Sequence, residues 1–272
     1  ELIRQKRAAL NVVGSAHGID IDLLAGAGAL ATTSESYVGF EQDFGIAPNY
    51  RRACESGEMK VNDACCYTIT QQIRAAVMGI PFIPIRSVRG TGFSGMHSEY
   101  KPMVCPFTGD ELLLVPALVP DVAIIHAQRG DARGNLQIQG PPVMDKLFAK
   151  ASRVVIASVE EIVPTEELSE SGGISIPYFY VDAVTEVPMG AHPTACYPYY
   201  AYDRPHTERY IKAVRAGDGT FASDYLKPFV EDCADHESYL ARVGGRETRE
   251  RLASWANGND AWMQLYTQES PK

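Results

Sequence analysis

The sequence has no run of apolar residues close to the roughly 20 that a membrane-spanning helix requires. It also has no excess of positive charge, since 25 lysines and arginines are outnumbered by 34 aspartates and glutamates, which gives a net charge of −9. The first absence argues against an integral membrane protein, and the second argues against a nucleic-acid-binding surface. With 272 residues, 45% of them hydrophobic, the chain can form one large or two small globular domains with a substantial core.

Cysteine motifs and the common catalytic motifs are absent as well. The six cysteines, at positions 54, 65, 66, 105, 196 and 233, include no CxxC pair. This spacing predicts reduced thiols in a cytoplasmic protein, packed in the core, and argues against a disulfide framework or a zinc site. No GxSxG, HExxH or Walker A sequence occurs, and no group of His, Cys and Asp has metal-site spacing, so no metal is expected.

Strand-like and helix-like segments alternate along the chain, which predicts an α/β fold with a largely parallel sheet. The predicted strands are residues 10–13, 36–40, 82–88, 111–115, 121–126, 153–159 and 180–184. The predicted helices are residues 20–27, 47–57, 62–78 and 142–151, with mostly helical structure from residue 206 onward. No linker separates two domains, so one domain is expected over residues 1–272.

The most informative stretch is residues 79–142, in which two apolar strands each run into a polar turn that contains glycine. The first turn is Arg89-Gly90-Thr91-Gly92-Phe93. Because ligands of α/β proteins bind beyond the carboxyl ends of parallel strands, this stretch is predicted to carry the site. Backbone N–H groups of such a turn can hold a carbonyl oxygen that gains charge in acyl transfer, and a plain turn is an equal alternative.

Two segments match the dinucleotide-binding fingerprint, but both lack its context. Residues 26–31 read GxGxxA, but the element predicted before them is a helix, whereas the fingerprint requires a strand there. Residues 90–95 read GxGxxG, but Pro102 and Pro106 prevent the helix that should follow. Nucleotide binding is therefore not expected.

His97 and Glu99 lie two residues apart beyond the first glycine turn, so an extended backbone would point them to the same side. A buried Glu99 could act as an acid or base, although a solvated Glu99 and a packed His97 are the more common arrangement. His126, in an apolar run, is more often structural than catalytic. The glutamates at 160, 161, 166 and 167 are predicted to be solvated or to cap a helix, with Thr165 as the N-cap.

Long segments of the chain, in order, resemble the A-type subunit of the family I coenzyme A transferases, in particular the glutaconate CoA-transferase type. They include GAGALATTSESYVGFEQ, GIPFIPIRSVRGTGFS, PFTGDELLLVPALVPDVAIIHAQRGDARGNLQIQGP, RVVIASVEEIVPTEEL and VDAVTEVPMGAHPTACYP. The resemblance covers essentially the whole chain. It implies an open three-layer α/β/α sandwich of the type shared with ribose-phosphate isomerase, with a mostly parallel sheet. It also implies that a strand–helix unit, usual in the family, is missing before Leu2.

The resemblance implies an enzyme that moves CoA between an acyl-CoA and a carboxylic acid, of the glutaconate or 3-oxoacid type. Its active site would be shared with a second, B-type CoA-transferase subunit in an α2β2 or larger heteromer, and the nucleophilic glutamate would belong to that B-type subunit. No cofactor is expected beyond the CoA carried by the substrate, and neither a nucleic acid nor a membrane is expected as a partner. The candidate substrate-binding residues are Ser34, Gly90, Thr91, Gly92, Phe93, His97 and Gln137.

The resemblance leaves other reactions open. The family also includes a steroid-ring-cleaving acyl-CoA hydrolase, which uses a glutamate of its A-type subunit, and a glutaconyl-CoA decarboxylase. Glu99 stands where the hydrolase glutamate would fall, so Glu99 is the catalytic candidate of this chain. A further alternative is a scaffold protein that only stabilises its partner. The identity of the acyl group is not encoded in any motif of the chain.

Overall fold

The computed structural model describes residues 1–256, which form two compact units. The first unit consists of Glu1–Ala123 and Met144–Val154, and the second of Ile124–Val143 together with the residues from Val155 onward. The single domain expected over residues 1–272 stays a prediction, and residues 257–272 lie outside the described range. Within the described range, no helix combines the length and the apolar character needed to cross a membrane.

The first unit contains two small parallel sheets, one antiparallel sheet and the helices that pack on them. Its elements are β1 (Leu10–Val13), β2 (Ala16–His17), α1 (Ile19–Gly26), β3 (Leu30–Ser34), β4 (Tyr37–Val38), α2 (Glu41–Phe44), α3 (Pro48–Ser56), β5 (Lys60–Val61), α4 (Cys66–Met78), β6 (Phe82–Ile85), α5 (Phe93–Met96), β7 (Lys101–Val104), β8 (Glu111–Pro116) and α6 (Asp145–Ala151).

A three-stranded parallel sheet in the order β1-β3-β5 is the centre of the first unit's amino-terminal part. The central strand β3 is not predicted by the sequence pattern, which indicates a glycine-rich turn followed by a strand at 36–40. The turn after α1 is short: Gly28 takes a left-handed conformation, with φ of +65°, and β3 begins two residues later at Leu30. Apolar residues of α1 and α3, including Ile21 and Ala53, pack with Leu30 of β3 in one buried cluster.

Local glycine signals correctly predict where two helices of the first unit end. Helix α3 ends at Gly57, with φ of +74°, and helix α4 ends at Gly79, with φ of +68°. Both glycines occupy the left-handed region, where a side chain would be strained. Helix α4 begins four residues later than predicted, because the N–H of Asn62 still bonds to the carbonyl of Thr33 as an extension of the sheet.

Strand β6 does not belong to the parallel sheet. It pairs antiparallel with β8, which in turn pairs antiparallel with β7. The expectation that the strand at 82–88 leads to the carboxyl edge of a parallel sheet is therefore wrong. Strand β7 is not predicted because Pro102 lies within it, and the edge position of β7 is what allows a proline there.

The second unit is organised around a sheet in the order β10-β9-β11-β12. The described elements are β9 (Val122–Gly130), β10 (Leu136–Gln137), β11 (Val154–Ile162), α7 (Thr165–Glu170), a 3-10 helix (Tyr178–Tyr180), β12 (Ala183–Glu186), α8 (Arg204–Arg215), α9 (Asp218–Phe221), a π-helix (Ala222–Glu231), α10 (His236–Arg242) and α11 (Gly245–Ala256). Strand β9 is antiparallel to β10, and β11 is parallel to β12.

The sequence predictions for the end of the strand at His126 and for the helix cap at Thr165 fail. Strand β9 continues to Gly130, so His126 lies within the strand and does not end it. The residues that extend the strand, Ala127 and Gln128, are buried in spite of the polar side chain of the latter. Thr165 is not the N-cap of α7, because its hydroxyl donates to Asp131 Oδ2 at 2.7 Å and Pro164 occupies the cap position.

Candidate active site

The carboxyl ends of β1, β3 and β5 lie at one edge of their sheet and carry several polar residues. Gly14 follows β1, Glu35 follows β3 and Asn62 follows β5. Ser34, a predicted substrate-binding residue, ends β3; its carbonyl accepts from Gly14 N–H at 3.1 Å, and its Oγ accepts from Asn62 Nδ2 at 3.3 Å. We define the strand-end cluster as Gly14, His17, Glu35, Ser36 and Cys66.

Glu35 is a buried carboxyl group without a hydrogen-bond partner in the described part of the chain. Its side chain is 1% exposed, and neither Oε1 nor Oε2 receives a hydrogen bond. His17 Nε2 lies 3.9 Å from Glu35 Oε1, beyond hydrogen-bond distance. Burial raises the pKa of Glu35 to about 7, although the charge of His17 opposes this shift. The group can therefore take up or release a proton near neutral pH.

His17 lies between Glu35 and a second carboxylate. Its Nδ1 is 2.6 Å from Asp20 Oδ2, and the N–H of Gly18 donates to Asp20 Oδ1 at 3.0 Å. Burial disfavours the charged imidazole, but the carboxylates of Asp20 and Glu35 outweigh this effect and raise the pKa of His17. The three side chains thus form a titratable array at the end of a parallel sheet.

Cys66, the first residue of α4, places an exposed thiol in the strand-end cluster. Its Sγ is 2.7 Å from Ser36 Oγ, which donates its proton to the carbonyl of Ser15. Hydrogen bonding with the Ser15 and Ser36 hydroxyls lowers the pKa of the thiol, and the charge of Glu35 opposes this effect. Core packing, favoured from the sequence for each cysteine, does not describe Cys66.

Gly14 provides the space that the ends of His17 and Glu35 occupy. A Cβ atom at position 14 would overlap the His17 imidazole and lie 2.8 Å from Glu35 Oε1. We expect Gly14→Ala to lower the free energy of unfolding by about 1–3 kcal/mol, because overpacking displaces both side chains. Denaturant unfolding measures this loss. Gly95→Ala is the control, since a Cβ there meets nothing within 4 Å, and equal losses in the two variants would contradict the packing argument.

The predicted glycine turn follows β6 and contains a strained residue. Val88 has φ of +59°, which a β-branched residue rarely adopts, and Gly90 has φ of +70°. Thr91 Oγ1 donates to the carbonyl of Val88 at 2.7 Å and accepts from the N–H of Phe93 at 3.3 Å. Gly90, Thr91 and Gly92 are exposed, and Phe93 is half-buried. Strain of this kind clusters at functional loops, so the turn stays a candidate for binding a carbonyl oxygen.

The structure brings His97 and Glu99 together, as their spacing predicts. His97 Nδ1 lies 2.9 Å from Glu99 Oε1, and His97 Nε2 donates to the carbonyl of Asp63 at 2.6 Å. The imidazole is buried and stacks on Tyr100, with ring centroids 4.4 Å apart. Glu99 itself is 51% exposed, so in this chain it lacks the burial that its acid–base role requires. The catalytic role of Glu99 stays a prediction.

Gln137, another predicted substrate-binding residue, is buried in the second unit. Its Nε2 donates to the carbonyls of Leu168 and Gly173, at 3.2 Å each, and lies 3.3 Å from Ser171 Oγ. Its Oε1 accepts from Gln139 Nε2 at 3.3 Å. The amide thus bonds to α7 and to the segment that follows it, and a role in substrate binding stays a prediction.

Sequence reasoning missed a second polar group, around Glu160 in the second unit. Glu160 Oε1 lies 2.7 Å from His126 Nε2 and 2.6 Å from the Tyr200 hydroxyl. Three side chains of this group each offer one atom that could bind a metal ion, and these atoms lie within 4.8 Å of one another. The residues are His126, Glu160 and Cys196. The hydrogen bonds to Glu160 explain how this carboxylate is buried, so the expectation of a solvated or capping residue is wrong for Glu160.

The family model described as coenzyme A transferase matches residues 1–187. An uncharacterized protein of Archaeoglobus fulgidus is 38% identical over 254 residues, which cover 93% of this chain and 56% of that protein. The chain therefore spans little more than half the length of this relative. The A-type subunit of glutaconate CoA-transferase from Acidaminococcus fermentans is 31% identical over 261 residues, covering 90% of this chain and 81% of that protein. The cholesterol ring-cleaving hydrolase IpdA subunit of Mycobacterium tuberculosis is 31% identical over 221 residues, with 77% and 76% covered.

Two solved structures agree with these sequence matches. The crystal structure of glutaconate coenzyme A-transferase from Acidaminococcus fermentans matches with a TM-score of 0.86 at 30% identity, over 93% of this chain and 84% of that one. A variant of the decarboxylase AibA/AibB matches with a TM-score of 0.74 at 31% identity, over 83% and 85%. The likeness confirms the predicted α/β sandwich class. Sequence and structure together show that this chain belongs to the coenzyme A transferase family, as a chain of its A type.

Proposed function

We propose that this chain is the A-type half of a two-subunit CoA-transferase, which moves CoA between an acyl-CoA and a carboxylic acid. The observation that carries the proposal is the likeness to the A-type subunit of glutaconate CoA-transferase, which covers 90% of this chain in sequence. The strand-end cluster supports it, because a polar site at the carboxyl ends of parallel strands is where an α/β enzyme is expected to bind a ligand. Glutaconate or a 3-oxoacid is the proposed acid.

In this proposal the two subunits divide the chemistry between them. The B-type subunit supplies the nucleophilic glutamate, as the family resemblance implies. This chain supplies Ser34 and the strand-end cluster beside the reacting groups. The turn at residues 90–93 supplies backbone N–H groups for the thioester carbonyl oxygen. Gln137 acts through the segment after α7 that its amide holds, and His97 orients Glu99.

The proposed assembly is an α2β2 or larger heteromer in the cytoplasm, with acyl-CoA and a carboxylic acid as substrates. The six cysteines, all within the described range and all free, support a reducing compartment. No metal or organic cofactor takes part beyond the CoA of the substrate. The reaction needs only carboxylates, a thioester and proton transfers, and the array of Asp20, His17 and Glu35 supplies titratable groups for the last of these.

The proposal is tested by mixing the purified chain with its B-type subunit, acetyl-CoA and glutaconate, and by following the acyl-CoA species chromatographically. We expect CoA to appear on the acceptor acid only when both proteins are present. Release of free CoA without transfer would contradict the proposal and favour a hydrolase. A B-type subunit that is fully active alone would contradict a shared active site.

The same assay examines Glu99. A loss of about 10²–10⁴-fold in Glu99→Gln is the size expected when a general acid or base is removed. A near-normal rate would exclude that role and leave Glu99 as a surface partner of His97. Glu111→Gln is the matched control, since Glu111 is an exposed glutamate at the start of β8.

A further inference from the structure

We propose that Cys66 is an acyl-accepting thiol, which takes the acyl group of an acyl-CoA by thioester exchange. The inference rests on the proposed function for its acyl-CoA, and it adds a covalent site to this chain. Cys66 lies beside Ser36 at the carboxyl edge of the parallel sheet, and its thiol is exposed. The chemical class of its substrate is a thioester of a short or medium carboxylic acid.

The position of Cys66 favours the thiolate form that thioester exchange requires. Residue 66 opens the 13-residue helix α4, so the thiol lies near the backbone N–H groups and the positive end of the helix dipole. Ser36 Oγ lies 2.7 Å from the sulfur, and hydrogen bonding with the hydroxyls of Ser15 and Ser36 lowers the pKa of Cys66. Lowered pKa and exposure are the two features shared by reactive cysteines.

Glu35 is the independent sign that a ligand group enters this cluster. A carboxyl group that is 95% buried normally has hydrogen-bond partners, and both oxygens of Glu35 lack them. His17 Nε2, 3.9 Å from Oε1, interacts with Glu35 through its charge and not through a hydrogen bond. Glu35 is the residue before Ser36, whose Oγ lies 2.7 Å from Cys66 Sγ, so Glu35 and Cys66 belong to the same cluster. In its protonated form Glu35 can donate a hydrogen bond to a thioester carbonyl oxygen, which would satisfy the group.

The proposed step is balanced without any further reactant. The Cys66 thiolate attacks the thioester carbonyl carbon, a bond forms between Cys66 Sγ and that carbon, and the bond from the carbon to the CoA sulfur breaks. The proton of the Cys66 thiol leaves to solvent, and the CoA thiolate takes up a proton in return. One thioester replaces another, so no oxidant, reductant or energy source is required.

Cys105 is an internal comparison for Cys66. Its pKa is also lowered, by the Thr108 hydroxyl and by the N–H groups of Phe107 and Thr108. It lies between β7 and β8, outside the strand-end cluster. General thiol reactivity therefore predicts modification of both cysteines, whereas the proposal predicts acylation of Cys66 alone.

The experiment incubates the full chain, alone and mixed with its B-type subunit, with acetyl-CoA and locates the acetyl group by peptide mass spectrometry. We expect acetylation of Cys66 at least roughly tenfold faster than of Cys105, and labelling of both cysteines by iodoacetamide. We expect no acetylation at position 66 in the Cys66→Ser variant, and we expect Cys66 to be acetylated in the Cys65→Ser variant as in the wild type. Equal acetylation of Cys66 and Cys105, or an unmodified Cys66, would overturn the proposal.

Glu35→Gln tests whether the carboxyl takes part. The titratable groups whose charges interact with Glu35 are His17, Asp20, Tyr50 and the Cys66 thiol. Ionisation of Glu35 removes a hydrogen-bond donor and opposes the thiolate, whereas glutamine keeps a donor at every pH. We expect the variant to be acetylated faster than the wild type near pH 8 and at a similar rate near pH 6. A rate ratio that does not change with pH would show that Glu35 does not face the reacting thiol.

The outcomes separate this inference from the proposed function. The thioester S-acetyl-N-acetylcysteamine lacks the nucleotide part of CoA, so it probes Cys66 independently of CoA recognition. Transfer of CoA to glutaconate with an unmodified Cys66 would contradict the role of Cys66 and leave the proposed function intact. Acetylation of Cys66 by the small thioester without any CoA transfer would contradict the proposed function and leave the role of Cys66 intact.

Discussion

Replacing Glu160 by alanine is expected to lower the free energy of unfolding by about 3–5 kcal/mol, because several buried donors lose their acceptor at once, at a cost of about 1–3 kcal/mol for each. The side chain is 2% exposed and accepts hydrogen bonds from the Tyr200 hydroxyl at 2.6 Å and the Met189 N–H at 2.7 Å. It also accepts from the Gly190 N–H at 3.2 Å and lies 2.7 Å from His126 Nε2. Alanine would leave these donors without an acceptor in the interior.

The backbone conformation of Met189 adds to the loss of folding stability expected for Glu160→Ala. Met189 has φ of +58°, a strained value for a residue with a side chain, and its N–H is held by Glu160 Oε2. Glu161→Ala is the matched control, because Glu161 is the adjacent residue and is 46% exposed, where it contacts Arg129. The free energy of unfolding of Glu161→Ala is expected to fall by less than about 1 kcal/mol. Denaturant unfolding compares the variants, and similar losses for both would contradict the account.

The same contacts determine how Glu160 responds to acid. Burial raises its pKa, but the bonds from His126, Tyr200 and Met189 outweigh burial, and the pKa of Glu160 is lowered from its ordinary value. A carboxyl with a lowered folded-state pKa contributes stability above its unfolded pKa and loses it as the pH falls through the folded value. The difference between the wild type and Glu160→Gln should therefore shrink in acid.

Replacing Glu35 by glutamine is expected to have the opposite effect at alkaline pH, namely to stabilise the chain. Burial raises the pKa of Glu35 to about 7 from its ordinary value of 4.5. The folded state therefore binds more protons than the unfolded state between these two values, and stability is lost as the pH rises through this window. Since each pKa unit corresponds to about 1.4 kcal/mol, the ionised carboxylate costs up to about 3 kcal/mol above the window.

The measurement compares wild type and Glu35→Gln by denaturant unfolding near pH 5 and near pH 8. The stability of the variant should rise by about 2.5 kcal/mol relative to the wild type between the two conditions, because glutamine does not ionise and pH 5 already lies within the window. Glu55→Gln is the control, since Glu55 is an exposed glutamate on α3 that pairs with Arg51. A constant difference between wild type and Glu35→Gln would show that burial does not destabilise the ionised Glu35 carboxylate.

Features of the fold that depend on neighbouring residues could be predicted from the sequence. The ends of α3 and α4 follow from Gly57 and Gly79, whose φ values of +74° and +68° suit glycine alone. The contact between His97 and Glu99 follows from a spacing of two residues. Strand β3 was beyond such reasoning, because its five residues are partly polar and become a central strand only through pairing with β1 and β5.

The chemically most unusual groups of the site were not predictable for the same reason. Nothing local marks Glu35 or Glu160 as buried, since Glu35 stands between two serines and Glu160 stands beside another glutamate after the end of an apolar run. Glu35 is enclosed by the approach of Gly14 and His17, and Glu160 by Tyr200 and the turn at Met189 and Gly190. Their burial depends on tertiary contacts between segments that are distant in the sequence, and local sequence patterns do not predict such contacts.

The arrangement of β1, β3 and β5 has a consequence for how the strand-end cluster is assembled. All of its members come from one continuous stretch, Gly14 to Cys66, and the crossover from β1 to β3 is short, with α1 as its longest element. Short connections close at low entropic cost and form contacts early in folding. The cluster is therefore a local module, which can keep its geometry while residues far away in the chain diverge.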